Sequence, residues 1–124
     1  MPNSSLSALK LALQVAGTVN GSDLENRSAK GCVCVVDLTA TSGTPTGVFT
    51  IEGKDPVSGK YYTILASAEL GTVATTVLRV YPGLTAATNL VVSDILPNVF
   101  RVTCVVAGTD TPKISATVGV TLID

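Results

Sequence analysis

Four groups of side chains in this 124-residue chain invite a chemical reading. Glu52, Lys54 and Asp55 lie almost adjacent. Paired carboxylates do acid–base work when a cleft drives their pKa values apart. The flanking residues place these three at a hairpin tip, which offers no cleft, so a solvated turn or an interaction surface is expected. Tyr61, Tyr62 and Tyr81 could stack on sugars or bases, although such tyrosines also serve as half-buried cross-strand packing. Cys32 and Cys34 are two apart and share a face if they lie on a strand, with Cys104 far away. A zinc site needs a fourth ligand, and the chain has no His to supply it. An odd count leaves at least one free thiol in any pairing. All three sit among Val residues, so they read as small buried hydrophobes kept reduced, as in a cytoplasm where the protein is made. Asp23 and Glu25 raise a Ca²⁺ reading, but the other oxygen ligands are missing at any recognisable spacing.

Much is excluded by what these groups lack. There is no phosphate-cradling glycine loop, nucleophile elbow, metalloprotease helix or Cys-x-x-Cys. Without His the commonest general base and metal ligand is gone. The expectation is a non-enzyme with no catalytic residue, cofactor or metal. Net charge is −1 with Lys and Arg scattered, so binding to nucleic acid through its phosphates is not expected. Charged residues make up 14% of the chain, against a usual share of about 25%. Uncharged loops would explain this, and so would a surface hidden against other subunits. The apolar stretch 9–16 is broken by Lys10 and Gln14, and no basic region precedes it. Neither an export signal nor a membrane span is expected there.

The elements that must position these groups are strands. A polar, flexible arm is expected over residues 1–8, followed by one β-sandwich domain over 9–124. Leu9, Leu11, Leu13 and Val15 alternate with Lys10 and Gln14, which favours a half-buried strand, with a short helix as competitor. Residues 18–30 form a polar connection in which Asn20-Gly21 is a turn signal and Ser22 to Glu25 fits a capping box. Residues 31–39 are almost wholly apolar, which predicts a central strand covered on both faces, and a neighbouring subunit is one option for a cover. A turn is expected at 40–46. The hairpin of 48–52 and 61–65 then closes through Gly53-Lys54-Asp55-Pro56-Val57-Ser58-Gly59. After a loose link comes a strand over 75–81, stopped by Pro82-Gly83. A long connection over 84–98 is expected to cross between sheets. A strand over 99–107, a tight turn at 108–112 and a last strand with Ile114, Ala116, Val118, Val120 and Leu122 inward complete the chain. This predicts an all-β fold, an antiparallel β-sandwich or flattened barrel of about seven strands. There is no Trp, so the immunoglobulin core signature is missing.

Three segments carry a resemblance. They are Thr18-Val19-Asn20-Gly21-Ser22-Asp23, then Ile51-Glu52-Gly53-Lys54-Asp55-Pro56-Val57-Ser58-Gly59-Lys60-Tyr61-Tyr62-Thr63-Ile64-Leu65, then Leu78-Arg79-Val80-Tyr81-Pro82-Gly83-Leu84-Thr85-Ala86 leading to Asp94-Ile95-Leu96-Pro97. Together the chain resembles a family of small virion proteins of tailed bacteriophages and prophages. The likeness runs over residues 18–123 and rests on the two turns and their order. Phe100-Arg101-Val102 departs from it, because a larger aromatic, often Trp, is expected before the Arg. The resemblance implies a virion structural protein, a capsid decoration (cement) protein bound to the major capsid protein at the capsid surface and self-associating there. Neither nucleic acid nor membrane is an expected partner. A low-charge sandwich can hold a shell through many weak copies or by offering an edge strand. The expected contact regions are 18–30, 53–60 and 84–98, with Asp23, Glu25, Arg27, Lys54, Asp55, Tyr61, Tyr81, Leu84 and Asn89 as candidate contacts, and the arm could order on the shell. A tail or head–tail joining protein, and a surface carbohydrate-binding sandwich using Tyr61 and Tyr81, are the alternatives.

Overall fold

The structure, a computed structural model, describes residues 4–124. Eight strands and no helix make it up: β1 (Ser4–Val15), β2 (Gly17–Asn20), β3 (Leu24–Glu25), β4 (Gly31–Lys54), β5 (Tyr61–Ala66), β6 (Thr75–Val80), β7 (Val91–Val92) and β8 (Val99–Ile123). They belong to one sheet that does not close into a barrel. All pairings are antiparallel except β6 with β7.

The architecture follows from two very long strands. β4 and β8 run side by side from Gly31↔Ile123 to Ser42↔Lys113, and again from Thr44↔Thr109 to Gly53↔Phe100. Between these stretches the register breaks, and the ribbon creases. β1 follows the first stretch of β8, and β2 and β3 follow the second. The sheet therefore forms two leaves. β7, β6, residues 31–42, residues 113–123 and β1 make the first. β5, residues 44–54, residues 99–109, β2 and β3 make the second. Inward side chains of both leaves join one core: Cys32, Cys34, Val36, Leu38, Leu78, Val80 and the even positions 114–122 from the first, with Phe49, Ile51, Phe100, Val102, Cys104 and Val106 from the second. The result is sandwich-like.

Several expectations are corrected by the crease. Residues 108–112 are not a hairpin turn between 99–107 and the last strand, and 40–46 is not a turn either. Both lie inside continuous strands, opposite one another. Turn formers there bend a strand pair instead of reversing a chain. Gly43 (φ 71°), Gly108 (φ 121°), Asp110 (φ 60°) and Thr111 (φ 54°) all take left-handed conformations at this line, joined by Gly17 (φ 138°) and Leu13 (φ 47°). A Cβ on Gly108 would collide with the Thr44 carbonyl and Pro45 Cα, so only glycine fits. Leu13 and Thr111 hold a conformation that costs a non-glycine residue about 1 kcal/mol or more.

The expected arm over 1–8 is strand from Ser4 onward, because its Ser and Leu residues pair with β8; residues 1–3 lie outside the described residues. Helix is absent from 9–15 and from 18–30, where β2 and β3 form instead. Leu9 and Leu11 are buried as the alternation predicts, but Leu13 and Val15 are each 53% exposed. A register shift between Leu11 and Gln14 moves them off the core face. The stretch 31–39 is central, between β6 and β8; within the chain one of its faces packs into the core and Val35 is exposed on the other. The connection after β7 does cross between leaves, and its own Leu96 is buried in the core. The link 67–74 crosses as well, bonding to Phe49 and Gly47 on the second leaf and to Leu38 on the first.

Candidate interaction surface

At the end opposite the crease, strand ends and loops from both leaves meet. β4 continues to Lys54, which sets Glu52 and Lys54 on one face as their spacing predicts. The register places Arg101 of β8 opposite Glu52 and Tyr61 of β5 opposite Lys54. Arg101 Nε donates to Glu52 Oε1 at 2.9 Å, a half-buried ion pair. The Arg101 guanidinium also lies 3.4 Å from the centroid of the Tyr61 ring, a close cation–π stack. Tyr61 Oη donates to Asp23 Oδ1 at 2.6 Å, and Lys54 Nζ donates to Asp23 Oδ2 at 2.9 Å. Five side chains thus form one circuit that ties the β2–β3 connection to β4, β5 and β8.

The electrostatics fit a clamp. The Tyr61 hydroxyl, then Lys54, hold the Asp23 carboxyl below the usual carboxylate range. Asp23 in turn raises the Lys54 ammonium above its ordinary value. Each charge faces an opposite charge or a donor, and one face of the Tyr61 ring is covered by Arg101. The circuit holds elements together, and each of its charged groups has a bonding partner within it.

A second device holds the same end. Asn26, only 4% exposed, donates from Nδ2 to the carbonyls of Ala29 (2.8 Å), Leu96 (3.1 Å) and Pro97 (3.3 Å). Its Oδ1 accepts from Ala29 N at 2.9 Å. Backbone bonds from Asn26 N to Asn98 O and from Leu96 N to Lys30 O complete the latch. A buried amide that bonds its neighbours this fully is strongly favoured over a truncated one.

The remaining candidates fall apart into separate roles. Asp55 builds its own turn, accepting from Val57 N at 3.0 Å and from Ser58 Oγ at 2.7 Å, and these bonds lower its carboxyl pKa, the Ser58 hydroxyl foremost. Glu25 and Arg27 make an exposed ion pair at 3.7 Å on the rim of a shallow cavity of about 360 Å³ between Leu6, Leu24 and Leu122. Tyr81 donates to the Asp124 carbonyl at 2.9 Å, fastening the end of β8. Leu84 and Asn89 lie in the loop between β6 and β7, where Asn89 takes φ 60°, outside the circuit. Sequence reasoning did not single out Asn26 or assign Arg101 a role. The alternation of β8 could have placed Arg101 outward, whereas nothing in the polar stretch around Asn26 marked it. The three cysteines are buried and outside the circuit, their thiols pushed up to about 12 by burial. No three of His, Cys, Asp and Glu come together to hold a metal among the described residues. No family model, curated protein or solved structure matches the chain.

Proposed function

We propose that this protein is a non-enzymatic structural component of a tailed-phage particle, decorating the capsid by binding the lattice of the major capsid protein. The observation that carries the reading is convergence. The three segments behind the resemblance are far apart in sequence, yet they meet at one end of the molecule. Asp23 of the first bonds Lys54 and Tyr61 of the second, and Asn26, just beyond the first, bonds Leu96 and Pro97 of the third. At that end Asp23, Glu52, Lys54, Asp55 and Arg101 are engaged in bonds within the chain. Its surface is suited to a broad, low-charge contact with a protein lattice, where copy number supplies the strength that each contact lacks.

Quantifying the protein in purified particles against the major capsid protein tests this. Copies comparable with the shell subunit are expected. A count of a few to some dozens would move the protein to the tail or neck. Absence from the particle would overturn the virion reading altogether.

A further inference from the structure

Asn20-Gly21, a turn signal in the sequence, is not a turn in the structure. Asn20 is the last residue of β2, exposed and paired with Thr103. Gly21 continues along β8 and donates its N–H to the Val102 carbonyl at 2.8 Å. A Cβ on Gly21 would stand 2.5 Å from that carbonyl oxygen and 2.6 Å from the Ala8 carbonyl oxygen of β1, so the fold admits only glycine here. An asparagine followed by glycine carries a chemistry of its own. With no side chain on the next residue, that residue's main-chain nitrogen reaches the asparagine side-chain carbonyl carbon without hindrance. The close approach of β1 and β8 therefore fixes a reactive neighbour beside Asn20. Asn26, buried and bonded through its amide, and Asn98, followed by the β-branched Val99, have no such opening.

We propose that Asn20 is a modification site, at which the chain converts its own asparagine to aspartate and isoaspartate, gated by the pairing of β2 with β8 and by the Asp23 clamp. In the reaction Gly21 N gives up its proton and attacks Asn20 Cγ. The Cγ–Nδ2 bond breaks, and the nitrogen leaves with that proton as ammonia. Water then opens the five-membered succinimide at either carbonyl, and nothing is oxidised or reduced. Two features of the folded chain hold the reaction back. The Gly21 N–H is engaged by Val102, and extended backbone at Asn20 turns its side chain and Gly21 N apart about the Cα–C bond. Ring closure needs them eclipsed, so residues 20–21 must leave β8 first. That opening is local. β2 and β3 lie at a sheet edge, paired with β8 alone, and such elements open at lower free energy than a core. Asp23, two residues on, is tied to Lys54 and Tyr61 and holds the segment down. In the isoaspartate product the main chain runs through the side-chain carbon and is longer. The Asn20↔Thr103 pairing and the Gly21–Val102 bond then no longer fit with Asp23 in its clamp, so the change is one-way and leaves the open end loosened. Nothing in this depends on the virion reading.

Peptide mapping of the full chain held at mildly alkaline pH is the test. Cleavage after Lys10 and Arg27 releases residues 11–27, whose Asn, Asp and isoaspartate forms separate, and fragment masses tell Asn20 from Asn26. Conversion at Asn20 is expected to be at least about tenfold slower in the folded protein than in guanidinium chloride, where no pairing survives. Tyr61→Phe keeps the ring and removes only the bond to Asp23. It is expected to speed conversion in the folded state about two- to fivefold, the range that an exposed polar contact to a charge controls. Lys54→Met is expected to do the same, while Thr117→Ala, exposed on the first leaf, leaves the rate unchanged. Equal rates in the folded and unfolded chain, or no conversion in either, would overturn the proposal. Clamp variants that convert no faster than the parent or than Thr117→Ala would overturn it as well.

Discussion

The two ends of this sandwich are made by opposite means. At the open end, loops from both leaves are held by side chains: the Asp23–Lys54–Tyr61–Arg101–Glu52 circuit and the Asn26 latch. At the crease, the backbone does the work. Six residues in left-handed conformations line up across three neighbouring strand paths, and the side-chain bonds near it are few, such as Thr44 Oγ1 to Asp110 Oδ2 at 3.2 Å and Leu13 N to Ser115 Oγ at 2.9 Å. An end held by side chains can change residue by residue while the fold stays. An end held by backbone conformation fixes the angle between leaves and tolerates little. Function is therefore easier to place at the open end, and stability is more easily lost at the crease.

The sharpest way to break this contrast is Gly108→Val. The new side chain would meet the Thr44 carbonyl and Pro45 while demanding φ 121° of a β-branched residue. A loss of about 3 kcal/mol or more is expected, enough to leave much of the chain unfolded. Urea denaturation reads it, and a midpoint within a few tenths molar of the parent would show that the crease is not backbone-controlled.

Asn26→Ala comes next. It orphans the Leu96 and Pro97 carbonyls and the Ala29 amide in a largely buried site, for an expected loss of about 2–3 kcal/mol. The loss should be local before it is global: amide exchange at residues 94–98 and 26–30 should speed up more than exchange in residues 31–42. Uniform acceleration across both leaves would mean that the latch belongs to the core and not to the open end.

The crease offers a test of opposite sign. Thr111 sits at φ 54°, where a β-branched residue is strained and Asn is tolerated. Thr111→Asn is expected to stabilise by about 0.5–1 kcal/mol, because it relieves strain without touching the core. Destabilisation would show that the threonine side chain itself supports the bend.

How much of this was legible depended on distance along the chain. The last strand was plain because strict alternation from Ile114 to Leu122 has one physical meaning. The shared face of Glu52 and Lys54 followed from strand geometry alone. The crease was hidden because Gly43 and Gly108–Pro112 carry ordinary turn chemistry, and whether such residues reverse a chain or bend a ribbon depends on what the partner strand does opposite them. The Asn26 latch was hidden because its acceptors are backbone carbonyls 70 and 71 residues away, which leave no trace in side-chain pattern. Leu13 was misplaced by a local register slip that no periodicity could foresee.

The smallest expected effect concerns pH, and it separates the ends cleanly, because the groups with lowered carboxyl pKa values, Asp23 and Asp55, are both at the open end. For Asp23 the causes are the Tyr61 hydroxyl and then Lys54, both absent in the unfolded chain. Its folded pKa therefore lies below its unfolded value, near 4. The unfolded state binds the proton first, so the contribution of Asp23 is fully present above that value and is lost as pH falls through the folded pKa. Lys54, raised by Asp23, acts on the other side: its contribution holds at neutral pH and fades only as pH rises through its folded pKa. The clamp should thus be at full strength between these limits. Asp23→Asn is expected to lower the denaturation midpoint slightly at neutral pH. As pH is lowered from about 5 to about 3 the variant and parent curves should converge, since the parent loses what the variant already lacks. A difference that stays constant down to pH 3 would mean that Asp23 acts through its shape and not its charge, and the open end would then be held by packing after all.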